Sequence, residues 1–130
     1  MPDERGNALT VFVAVSVVGL LAVCGLVVDG GAQARLGRQA ELVAAQAARA
    51  AVDNTATNRV AGVRTDAAAA IAAARQVLAG HPELSSQVRL VGDAVQVSTS
   101  GQVETVFLSL IGIPTLAAHG SATADLIPDR

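Results

Sequence analysis

Lysine, tryptophan and tyrosine are absent from this chain, and phenylalanine occurs only at Phe12 and Phe107. So few aromatic rings leave no platform on which nucleic-acid bases would stack and no aromatic belt for a membrane interface. All nine basic residues are arginine, and the net charge is −2. That balance lacks the concentrated basic face that nucleic acid requires, so no nucleic-acid partner is expected. The one cysteine, Cys24, excludes an internal disulfide and a thiolate metal cage. His81 and His119 stand in no ligand-spaced cluster, so no metal is expected. Serines are plentiful, but none falls in a motif that places it beside a histidine and a carboxylate. Gly25 to Gly30 has the glycine spacing of a phosphate loop, yet Gly31 and Ala32 follow where Lys and Ser/Thr are needed. Neither catalysis nor a cofactor is expected.

What the chain does have is apolar length. From Ala8 to Val28 no residue is charged. Those 21 residues, wound as a helix, span roughly 31 Å, the thickness of a bilayer's hydrocarbon core. A cleaved secretory signal has a shorter apolar core of about 7–15 residues behind a basic start. Here the start is Met-Pro-Asp-Glu-Arg, in which acidic residues offset Arg5. Leu21-Ala22-Val23-Cys24 looks superficially like a lipoprotein signal, but Val23 stands where a small residue is required. A permanent anchor is the expectation. Ser16, Gly19, Ala22 and Gly25 are small residues three apart, the kind that lets helices approach in lipid. At that spacing the row winds around the helix, so a helix-packing groove and ordinary membrane-helix composition both stand. Asp29, where the tract meets water, reads either as an interfacial charge or as the partner of a specific donor.

Beyond Gly30-Gly31, where a bend is possible, Ala32 to Asp53 is rich in helix-forming residues. Ala32, Leu36, Ala40, Val43, Ala47 and Ala50 share one stripe, with Ala44 and Ala51 beside it. Leu36, Ala40, Val43 and Ala47 are expected to be the packing face of an amphipathic stalk. Asn54 to Arg64 reads as a polar connection, and helix resumes at a Thr65-Asp66 cap. That helix carries Ala67, Ile71, Ala74 and Leu78 on one face and stops at Gly80-His81-Pro82, Gly80 taking the left-handed position. From Gln87 the period becomes two, and Gly92-Asp93 separates the arms of a hairpin. Val103 to Ile111 is an apolar run that reads as a buried strand or a short helix. Leu116 to Leu126 alternates again, with His119 on its polar side. The expected architecture is α+β: an N-terminal transmembrane helix continuing into an amphipathic stalk helix, packed with a second helix and a small, mostly antiparallel sheet. The divisions are 1–31 (cytoplasmic tip and anchor), 32–64 (stalk and polar connection) and 65–130 (small α+β domain).

Glu4-Arg5-Gly6-Asn7-Ala8, the apolar tract, Gly25 to Gly31 and the Ala-rich helix to Ala51 resemble the TadE/TadG-like proteins of tight-adherence (Flp-type) pilus systems. Val106 to Gly112 and the Ser/Ala/Thr-rich strand after it are similar to the ends of such chains. The resemblance covers roughly half the sequence. It makes Gly6 a candidate processing site, although members cleaved by prepilin peptidase carry Glu five residues after that glycine, where this chain has Val11. The uncleaved TadG-like type therefore fits better. The resemblance implies a minor-pilin-like structural or assembly component whose partners are the bilayer and other pilus or secretion-system membrane proteins. It also implies a cytoplasmic amino terminus and an extracytoplasmic C-terminal domain. Counting charge alone points the other way, because Arg35 and Arg38 follow the tract and only Arg5 precedes it. Long domains cross largely regardless of charge, and the outside placement is the expectation. The alternative is an anchored extracytoplasmic accessory or ligand-binding domain with no filament.

Overall fold

A computed structural model describes residues 4–62 and 66–126. Its elements are α1 (Glu4–Val60), α2 (Ala67–Ala79), β1 (Ser85–Val91), β2 (Ala94–Glu104), a 3-10 turn (Leu108–Ile111) and β3 (Thr115–Asp125). The three strands form an antiparallel meander in the order β1-β2-β3. The α+β class and the order of elements agree with the sequence reading.

One helix, α1, runs for 57 residues, about 85 Å at 1.5 Å per residue. It passes through Gly30 and Gly31 without interruption. Two helical glycines cost about 1 kcal/mol each relative to alanine. Tertiary bonds on either side of the pair hold the helix through them: Asp29 is bonded to the segment after β2, and Gln33 Nε2 donates to the Ala117 carbonyl (2.7 Å).

The connection expected from Asn54 to Arg64 begins later, because α1 continues to Val60. Thr, Asn and Asp side chains usually compete with helical hydrogen bonds. Here they fold back onto the helix, with Thr55 Oγ1 donating to the Ala51 carbonyl and Thr57 Oγ1 to that of Asp53, both at 2.9 Å. Thr55 is buried, and the Arg59 guanidinium donates to the Leu126 carbonyl, so tertiary contacts extend the helix past its propensity. Thr65, half of the expected cap, lies outside the described residues. Asp66 caps α2, its carboxylate accepting from the Ala68 N–H at 2.9 Å. Gly80 ends α2 in the right-handed region (φ −73°), not the left-handed one expected; consecutive bonds from Gly80 and His81 to Val77 and Leu78 close the turn without it.

The core sits where α1 meets both α2 and the inner face of the sheet. Ala40, Val43, Ala44, Ala47, Ala48 and Ala51 of α1 join Ala70, Ala74, Leu78, Leu84, Val95, Val97 and Leu126. The α1 positions follow the three-four spacing of an apolar face. That face is wider than the stripe read from sequence, taking in Ala48 and leaving Ala50 half-buried, because α1 has neighbours on two sides. Alanines let the sheet come close. A Cβ built on Gly120 would stand 2.3 Å from the Ala40 carbonyl carbon and from the Glu41 nitrogen, so β3 touches the helix backbone itself. Thr99 Oγ1 seals the same contact by donating to the Ala40 carbonyl at 2.8 Å.

Strand pairing places Val88, Val97 and Ala122 in one inward row, and Gln87, Ser98 and Ser121 in the row facing outward. At the hairpin, Gly92 takes φ +60° while Asp93 does not leave negative φ, as the first position of a type II′ turn requires.

Candidate functional site: the junction of the apolar helix and the connection after β2

Over its first half, α1 buries almost nothing. Of its most apolar 18-residue window 6% is buried, and Phe12, Leu20 and Leu26 are exposed. Among the described residues this is the one helix long and apolar enough to cross a membrane.

At the end of that stretch the connection between β2 and β3 comes down beside the helix. Val103 and Glu104 complete β2, and Leu108–Ile111 forms the 3-10 turn, so of the two expectations for the apolar run the short helix is the nearer. It is not a buried one. None of its four residues is buried, since the sheet and α2 already cover the inner face of α1.

The connection is tied to α1 by one side chain. The Asp29 carboxylate accepts three backbone N–H groups, from Val106 (2.8 Å), Phe107 (3.0 Å) and Leu108 (2.8 Å). The first N–H groups of any helical turn lack acceptors within it. No side chain of the turn itself caps these, and Asp29, far away in sequence, supplies the acceptor. Asp29 is 2% exposed. The three N–H donors compensate the burial of its carboxylate. One turn earlier, Gly25 gives the connection room: a Cβ there would lie 3.2 Å from Phe107 Cβ and 3.3 Å from Leu108 Cδ2.

No family model, curated protein or solved structure matches this chain. Geometry and sequence therefore carry the functional reading.

The other residues singled out in the sequence are placed as follows. Gly6 lies in the first turns of α1 and is exposed. Ser16 is exposed and donates to the Phe12 carbonyl (2.8 Å), Gly19 has open space around it, and Ala22 is exposed. Of that small-residue row, only Gly25 meets another part of the chain, and with Asp29 it holds the connection. Ala40, Val43 and Ala47 are buried in the core, and Leu36 packs at its margin against Gly101. His81 faces Glu83 at 3.1 Å in the turn after α2. His119 lies exposed on the outer sheet face, beside Ser85, Ser98, Ser100 and Ser121 in a shallow open depression. Among the described residues, no three His, Cys, Asp or Glu side chains gather as metal ligands.

Sequence reasoning missed Thr99 and Gly120 as contacts to α1, and it offered Asp29 as the partner of a specific donor without naming Val106, Phe107 and Leu108. A glycine interrupting the inward row of β3 was the available signal, since glycine within a strand often marks close approach of another backbone. For the clasp no local signal exists, because its donors are main-chain groups 77 to 79 residues away.

Proposed function

We propose that this chain is a membrane-anchored structural or assembly component, minor-pilin-like, of a tight-adherence pilus or a related secretion system. The observation that carries the reading is the division of α1. Its Val/Leu-rich first half is bare over a bilayer's thickness, and its Ala-rich second half is the spine of a small α+β head. The bare half suits lipid and neighbouring membrane helices, and the head is carried on the continuation of the same helix. The resemblance at Arg5-Gly6, at Val28-Asp29-Gly30 and along the Ala-rich helix supplies the system. In this reading the chain is single-pass, with the amino terminus cytoplasmic, the stalk and head extracytoplasmic, and contacts rather than catalysis as its contribution.

Co-purification from native membranes tests the assignment: pilus or secretion-system proteins in the eluate support it, and their consistent absence sinks it. Orientation has its own test. Ser98 is exposed on the outer sheet face, so Ser98→Cys in a Cys24→Ser background should react with a membrane-impermeant thiol reagent in intact cells. Protection until the membrane is opened would reverse the placement. The hydroxyl-lined depression around His119 favours a second reading, an anchored ligand-binding domain. That reading gains if the native eluate holds no filament proteins.

A further inference from the structure

We propose that the connection after β2, residues 106–113, is a second membrane-contacting element. It would enter the apolar edge of the same bilayer that α1 crosses, with Asp29 setting its depth. The inference rests on the membrane-anchored reading above and adds a contact that reading does not contain.

Three observations carry it. First, the segment displays large apolar side chains outward: Val106 is 64% exposed, Leu110 71%, Ile111 62% and Ile113 41%. Among the described residues nothing in the head covers them. Second, the patch is continuous with the end of the apolar tract, because Phe107 and Leu108 lie against Gly25 while Leu26 and Val27 stand exposed beside it. From Thr105 to Ala124 no Asp, Glu, Lys or Arg interrupts it.

Third, at least six of the eight backbone N–H groups of residues 106–113 have acceptors within the chain, which lessens the cost of a medium where each unpaired polar group costs several kcal/mol. The N–H groups of Val106, Phe107 and Leu108 go to Asp29. Those of Leu110, Gly112 and Ile113 go to carbonyls of Phe107, Ser109 and Leu108, and Pro114 has none to satisfy. Both hydroxyls are also turned inward, Thr105 Oγ1 to the Ile113 carbonyl and Ser109 Oγ to that of Val106. Lipid is the occupant that fits, since the patch merges with a helical surface of bilayer length.

The test uses the full chain in vesicles of phosphatidylcholine and phosphatidylglycerol. Single thiols are introduced in a Cys24→Ser background at Leu110→Cys, at Leu20→Cys in the apolar tract and at Ser98→Cys on the outer sheet face. Each carries a polarity-sensitive fluorophore, and lipids brominated along their acyl chains serve as quenchers. Quenching and a blue-shifted emission are expected at positions 110 and 20, and neither at 98. An Ile111→Cys reporter repeats the measurement in case the first label disturbs the turn. If position 20 is quenched while 110 and 111 behave like 98, the proposal falls and the anchor stands. If position 20 is not quenched either, the anchored reading fails and takes this inference with it. Disulfide-linked dimers through Leu110→Cys, without quenching, would assign the patch to a second copy and overturn the lipid assignment.

Discussion

The two halves of α1 invert the usual relation between hydrophobicity and burial. Residues 8–28 are rich in Val and Leu, and nearly all of them stand exposed. Residues 40–51 bury mostly alanine, with Ala40, Ala44, Ala47 and Ala51 at 0% exposure. Side-chain size explains the second half: a sheet can approach a helix to backbone contact only where no bulk intervenes. In the first half only the connection beside Gly25 approaches, and large side chains cover a surface that suits lipid. The lesson is that an apolar residue records which neighbour it was selected for, and that neighbour need not belong to the same chain.

The comparison breaks most completely if α1 is removed. Residues 65–130 without the helix lose the alanine face on which Val95, Val97 and Leu126 pack. At 66 residues a single core is already marginal. Thermal unfolding should show a cooperative melt for residues 32–130 and none for 65–130. Equal melts would mean the Ala face is free to serve a partner.

Next in size is Gly120→Val. Its side chain must enter space held by the α1 backbone, and overpacking of this kind costs about 3 kcal/mol. Gly19→Val in the bare half meets open space and should leave the head's melting temperature unchanged. Both are read by thermal unfolding of the full chain in detergent. A head that tolerates Gly120→Val would show that helix and sheet do not approach as closely as described.

A smaller loss is expected from Val43→Ala, about 1.6 kcal/mol for two buried methylene-sized groups at roughly 0.8 kcal/mol each. Val43 is 3% exposed, whereas Val15 is 67% exposed, so Val15→Ala should not destabilise the head at all. Denaturant midpoints for the pair check the contrast.

The smallest effect is local. Asp29→Asn removes the carboxylate that accepts from Val106, Phe107 and Leu108, and amide exchange at those three positions should speed with little change in the head's melting temperature. Unchanged exchange would show that these N–H groups do not rest on the carboxylate.

Much of the architecture was legible because it rests on period and punctuation. The apolar tract, the hairpin at Gly92-Asp93 and the inward row of Leu116, Ala118, Gly120 and Ala122 follow from local spacing. Boundaries were less legible. Asn54 to Val60 reads polar and turn-prone, and stays helical because Thr55 is buried and Arg59 reaches the Leu126 carbonyl. The face on α1 proved wider than the stripe read from spacing, taking in Ala48.

By itself, then, the sequence determined that the chain is α+β, that its first helix carries a bilayer's length of apolar surface, and that three stretches alternate as strands. Each follows from the geometry of a single element and from which side chains recur at its period. Only the tertiary structure decided that Asp29 clasps Val106 to Leu108, that Gly120 lies on the α1 backbone, and that Val106 and Leu110 are left outside the core. Those outcomes depend on main-chain groups and on space between elements far apart in the chain, which no local pattern encodes.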